Sequence, residues 1–201
     1  MIALLIRHAS IPAQDTLGQR ALIPLNTLGE AQARRLADRL KSVDVEAVFT
    51  SPLTRAVQTA NALAAGRNIP VLTETTLREV DVGEWDNRSF AGLDAIESWK
   101  FFNTFRSGTR PPGGEMMLEV QARVVGFLER LTHEYGDATV AVVSHADVIR
   151  CAVCHYLGIP LDLSLRVQIR PASITTLRLS PWGAELVNLN DKGEWDDHSP
   201  E

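Results

Sequence analysis

Cysteine is almost missing from this chain: among 201 residues there are two, Cys151 and Cys154. Two thiols give no disulfide framework, so a reducing, cytoplasmic compartment is expected. Their Cys-x-x-Cys spacing matches a redox pair. It lies, however, in the apolar run 148–154, which reads as a buried helix, and both thiols are expected in the core. Long hydrophobic runs are missing too. The N-terminal Met-Ile-Ala-Leu-Leu-Ile stops at Arg7, too short for a signal peptide and far short of the ~20 residues of a membrane span. No membrane partner is expected. A surplus of positive charge is also lacking: the formal charge is −5 and the pI is near 5.6. That argues against nucleic acid as a partner. It leaves room for a small anion, which needs only a local cluster of cations. There is no Walker-type loop, no His-Glu-x-x-His and no carboxylate cluster with metal-ligand spacing. Neither metal nor cofactor is implied.

The composition itself is ordinary for a globular protein, 45% apolar and 22% charged. The length suits one domain with a sizeable core, expected over 1–201 with 191–201 as a loose tail. Residues 2–6 form a continuous apolar run, the mark of a strand buried on both faces. Residues 9–25, with Pro12, Gly18 and Pro24, read as a loop. Thr27-Leu28-Gly29-Glu30 reads as a capping box opening a helix to about Lys41, with Ala31, Leu36 and Leu40 inward. Residues 47–50 and 71–73 are strand candidates. Ser51-Pro52 places a cap and a proline before a helix that runs to about Ala65. Residues 78–92 are turn-rich and 93–106 read as helical, with Trp99, Phe101, Phe102 and Phe105 expected in the core. Pro111-Pro112-Gly113-Gly114 is a break. Helical spacing over 115–135 precedes a β-branched strand at 139–143, closed by Ser144-His145, and a helix to Leu157. Strands are expected at 165–169, 173–179 and 184–189. This alternation argues for an α/β sandwich with a mostly parallel sheet. Its strand-rich end offers an edge at which a homodimer could form.

In open α/β sheets ligands bind beyond the carboxyl ends of the strands. Three such ends carry chemistry: Arg7-His8, Ser51-Pro52 with Arg55, and Ser144-His145. Singly, each has an ordinary explanation: an arginine reaching solvent, a solvated helix residue, a satisfied core histidine. Together they make a set. Two guanidinium groups hold phosphate through paired N–H donors. Two imidazoles flanking one phosphorus offer a nucleophile and an electrophilic partner. The helix after Pro52 adds the positive end of its dipole. Fixed cations of this kind do much of what Mg²⁺ does elsewhere. A leaving alkoxide also needs a proton. Glu79, Asp81, Glu84 and Asp86 are all candidates, and the residues alone do not choose among them.

Four segments together resemble the histidine phosphatase superfamily, in its phosphoglycerate-mutase-like branch. They are Leu-Ile-Arg-His-Ala at 5–9, Ser-Pro-Leu-x-Arg-Ala-x-Gln-Thr-Ala at 51–60, Leu-Arg-Glu-x-x-x-Gly-Glu-Trp at 77–85 and Val-Ser-His-Ala-Asp-Val-Ile-Arg at 143–150. Residues 25–33 and Pro112-Gly113-Gly114-Glu115 also look like that branch, and the similarity spans roughly residues 2–190. The resemblance implies a three-layer α/β/α sandwich with a mostly parallel mixed sheet. It implies that His8 attacks phosphorus and becomes phosphohistidine. Arg7, Arg55 and His145 would hold the phosphoryl oxygens, and Glu79 would protonate the leaving group and then activate water. The activity implied is that of a metal-independent, acid-type histidine phosphatase acting on a small phosphorylated metabolite.

Three departures stand out. Ala9 replaces the family's usual glycine. Gln14 stands where many members carry a phosphate-binding asparagine, and is carried over as a candidate phosphate contact. Ala146 and Asp147 replace two frequent glycines, which is expected to narrow the pocket near His145. Arg7 and Arg55 are expected to depress the pKa of both His8 and Glu79, and the activity optimum is expected on the mildly acidic side of neutral. The alternatives are a phosphoglycerate-type mutase, which delivers the phosphoryl group to a second hydroxyl, and a non-catalytic phosphate-binding module. Mutases of this branch tend to be longer, which favours the phosphatase.

Overall fold

The computed structural model describes residues 1–18 and 22–193; residues 194–201 of the expected tail lie outside it. The apolar N-terminal run is strand β1 (Ile2–Arg7). Helix α1 (Thr27–Arg39) is capped one residue earlier than expected. Asn26, a stronger cap than threonine, accepts the Gly29 N–H at 2.7 Å. Its inward stripe is Gly29, Gln32, Ala33 and Leu36, while Ala31 is only half-buried. Strand β2 (Val45–Thr50) is followed by α2 (Thr54–Ala64). This helix starts later than Ser51-Pro52 suggests, with Leu53 at the cap position and no side-chain cap bond. The Ser51 hydroxyl accepts the Leu53 N–H at 3.3 Å and also meets a histidine from another strand end.

The chain continues through β3 (Val71–Thr73), α3 (Phe90–Asp94), α4 (Glu97–Thr104), α5 (Met117–Tyr135), β4 (Thr139–Ser144) and α6 (Ala146–Leu157). It closes with β5 (Ile174–Ser180) and β6 (Gly183–Asp191). The strand expected at 165–169 does not form. Leu161–Arg166 is a 3₁₀ helix, and the carbonyls beyond it serve side chains rather than a ladder. Val167 O accepts from Arg150 Nε at 2.9 Å and Ile169 O from Arg7 Nη1 at 2.7 Å.

The sheet order is β3-β2-β4-β1-β5-β6. The first four strands are parallel; β5 runs antiparallel to β1, and β6 antiparallel to β5. Period-2 alternation sorts each central strand between two cores. Leu5, Phe49, Val140 and Val142 face α5 and α6, with Val120, Val124, Leu128, Ile149 and both cysteines. Leu4, Ile6, Val48 and Val143 face α1 and α2, with Leu36, Ala60 and Leu63. That makes three layers, α/β/α, as the resemblance implies. Cys151 and Cys154 are free and buried. Of the aromatic cluster, Phe102 is buried and Trp99 packs on the core, each edge-on to Trp85. Phe101 and Phe105 are about half exposed, contrary to expectation, because they fall on the outer side of α4 and its C-cap. Among the described residues no helix is long and apolar enough to cross a membrane.

Because β1, β2 and β4 are parallel, their C-terminal ends share one rim. Arg7 pairs with Ser144 in register, His8 N–H donates to Ser144 O at 2.9 Å, and Ser51 N–H to Val143 O at 3.0 Å. Above this rim the loop after β1 meets the segment before α3. Leu17 N–H donates to Arg88 O at 2.8 Å and Asn87 N–H to Leu17 O at 2.7 Å.

Candidate active site

His8 leaves β1 with its side chain 5% exposed. Its Nδ1 lies 2.8 Å from Ala9 O, and a carbonyl can only accept, so Nδ1 carries the ring proton. Nε2 is then left with a lone pair, which accepts from Arg55 Nε at 3.3 Å. Burial, then Arg55 and Arg7, push the His8 pKa down to about 3 against the upward pull of the Ala9 carbonyl. His8 is therefore neutral at pH 7, with its basic nitrogen aimed at a cation.

Arg55 projects from the first turn of α2 and is 3% exposed. Thr59, one turn on, ties this helix to the His8 loop: its hydroxyl donates to Arg55 O at 2.8 Å and accepts from Ala9 N–H at 3.1 Å. Arg7 is half-buried and anchored to Ile169 O at 2.7 Å.

His145, at the end of β4, is fully buried, and its ring centroid is 5.1 Å from that of His8 with the planes 59° apart. Its Nε2 is 2.8 Å from Ser51 Oγ, while its Nδ1 is buried without a hydrogen-bond partner. Such a nitrogen is satisfied by a water or a bound ligand. Burial first, then His8 and the two site arginines, hold His145 well below the usual histidine range.

Glu79 lies between the buried anchors Leu77 and Val80. Ser144 Oγ donates to Leu77 O at 2.8 Å, tying this segment to the end of β4. The expected depression of its pKa is overturned. Loss of hydration, with the Asp147 carboxylate second, raises Glu79 to about 7 against the Val80 N–H, Arg55 and Arg7. Asp147 is itself held ionised: burial alone would raise its pKa, but Arg106 and Arg150 outweigh it. These arginines bond it at 2.7 and 3.0 Å.

The structure thus brings together Arg7, His8, Arg55, Glu79 and His145. It does not bring in Gln14, whose amide donates to Pro12 O at 2.8 Å and Ala13 O at 3.1 Å in its own loop. Ser51, Thr59, Arg106 and Asp147 were missed. Ser51 and Thr59 lay in view inside the 51–60 motif; nothing local in the sequence marks the Arg106–Asp147 pair, which spans 41 positions.

The arrangement offers a neutral imidazole, guanidinium groups suited to an oxyanion and a carboxyl that titrates near neutrality. Residues 3–192 match the family model described as "Histidine phosphatase superfamily (branch 1)". The chain is 31% identical over 186 residues to "Probable phosphoglycerate mutase GpmB" of Enterobacter sp. (strain 638), covering 89% of this chain and 86% of that protein. It is 31% identical over 195 residues to "Phosphoserine phosphatase 1" of Hydrogenobacter thermophilus, covering 93% and 90%. The crystal structure of the alpha-ribazole phosphatase from Shigella flexneri superposes with a TM-score of 0.85 at 27% identity, covering 98% of this chain and all of that one. A match over nearly the whole length means that the chain belongs to the histidine phosphatase superfamily, branch 1.

Proposed function

We propose that the protein is a metal-independent phosphatase that hydrolyses a small phosphomonoester through a phosphohistidine on His8. The observation that carries this is the pairing of two opposed protonation states: His8 neutral with its Nε2 lone pair turned to Arg55, and Glu79 protonated up to about pH 7. In the first step His8 Nε2 forms a bond to phosphorus as the P–O bond to the leaving group breaks. The Glu79 proton passes to the departing oxygen. Arg55 and Arg7 hold the equatorial oxygens, and the unpartnered His145 Nδ1 is available to a further one. In the second step the Glu79 carboxylate takes a proton from water, which attacks phosphorus and frees His8 and inorganic phosphate.

The named relatives support two fates for the phosphoryl group, since one is a phosphoserine phosphatase and another a probable phosphoglycerate mutase. The phosphatase structures favour delivery to water. A phosphate-release screen across phosphorylated metabolites, with His8→Ala as control, tests the proposal. Release that His8→Ala abolishes is expected. Interconversion of phosphoglycerates without net phosphate release would establish the mutase instead. Tight phosphate binding with no turnover would establish a binding module.

A further inference from the structure

Glu79 sits on backbone that belongs to no helix or strand, yet a proton donor must be placed to within a fraction of an ångström. Its placement traces to α5. Arg123 sends Nη1 to Thr76 O at 2.5 Å and Nη2 to Glu79 O at 3.4 Å. The guanidinium is fixed in turn by Glu115, with Nε to Oε1 at 2.9 Å and Nη2 to Oε2 at 3.0 Å. Glu115 closes the far side of the segment: its Oε2 accepts the Asp81 N–H at 2.9 Å and its own N–H donates to Asp81 O at 2.8 Å. Glu79 is thereby bracketed at Thr76, at its own carbonyl and at Asp81.

The close approach this requires is built into two glycines. A Cβ on Gly83, which has φ +54°, would lie 2.1 Å from Pro112 O, and one on Gly114 would lie 2.4 Å from Asp81 O. Arg123 grips the Glu79 backbone and leaves its carboxylate to the Val80 N–H, which donates to Oε1 at 3.1 Å. Its charge is matched by Glu115. The pair therefore fixes where Glu79 stands without competing for its proton.

We propose that Arg123, locked by Glu115, is the positioning residue that aims Glu79 at the leaving-group oxygen, an inference that rests on the reading of Glu79 as proton donor. Its signature is dependence on the leaving group. Dinitrophenoxide departs without a proton, whereas phenoxide gains much from one. The comparison is made in kcat/KM, which reports phosphorylation of His8 and departure of the leaving group but not the later water step: Arg123→Met is expected to lower it on phenyl phosphate about 10- to 100-fold while changing it on dinitrophenyl phosphate less than about threefold. Arg123→Lys keeps the charge but loses the planar fork, and is expected to rescue only in part. In a Glu79→Gln background Arg123→Met should add no further loss. Equal losses on both esters, or additive losses, would overturn the proposal. If Arg123→Met does not fold, Arg123→Lys and Glu115→Gln carry the same comparison. A Glu79→Gln enzyme that treats both esters alike overturns the proton-donor reading and this inference with it. A Glu79→Gln enzyme that discriminates beside Arg123 variants that do not overturns the positioning alone.

Discussion

His8 and Glu79 are moved in opposite directions by one cause. Burial disfavours whichever form is charged, so it lowers the imidazole to about 3 and raises the carboxyl to about 7. At the histidine the arginines add to burial. At Glu79 they oppose it, and burial with Asp147 wins. At pH 7 His8 is therefore neutral, while Glu79 is near its midpoint. The productive state, neutral His8 with protonated Glu79, holds between about pH 3 and 7 and is lost as pH rises through the Glu79 value. For a substrate with a basic leaving group, kcat/KM is expected to fall about tenfold per pH unit well above pH 7, in a pH–rate profile. Glu79→Gln should remove that limb along with most of the rate. A rate still rising above pH 8 would mean that Glu79 is not the acid.

The elements that carry the site are joined by few but specific bonds. Besides the Arg55–His8 contact, helix α2 meets the His8 loop through the buried hydroxyl of Thr59. Thr59→Val keeps the shape and removes the acceptor, leaving the Ala9 N–H buried and unpaired. Chemical denaturation is expected to show a loss of about 1–3 kcal/mol, accompanied by a fall in kcat as His8 loses register with Arg55. Unchanged stability would show that water replaces the hydroxyl. Element boundaries were legible in the sequence where local chemistry decided them, as at β1, β4, α5 and the Gly158 end of α6. They were misread where a partner far along the chain took over. Ser51 looks like a helix cap, but its hydroxyl lies against His145, 94 positions away. Residues 167–169 look like a strand, but their carbonyls bind Arg150 and Arg7.

For the molecule as a whole, a buried cluster of cations and imidazoles is a cost to folding that a bound oxyanion would relieve. Phosphate or vanadate that binds the native state alone stabilises it by mass action, by about 2.7 kcal/mol at one hundred times Kd. Thermal melts are expected to show Tm rising with either anion. The shift should be lost in Arg55→Met, which removes a proposed phosphate contact, and retained in Gln14→Ala, whose side chain serves its own loop. A shift abolished equally by Gln14→Ala would mean that this loop turns inward when the anion binds.

The sequence by itself determined the order of elements, the parallel centre of the sheet and the presence of Arg7, His8, Arg55 and His145 at strand ends or just beyond them. Periodicity, turn residues and motif spacing are local properties, and a parallel sheet brings those ends to one rim regardless of detail. Only the tertiary structure decided what each group became. It buried Glu79, the carboxylate that the family resemblance names, reversed the expected direction of its pKa, turned Gln14 onto its own loop and set Arg123 and Glu115 behind the site. The burial of Glu79 and the Arg123–Glu115 brace depend on partners distant in sequence, which no short window of residues encodes.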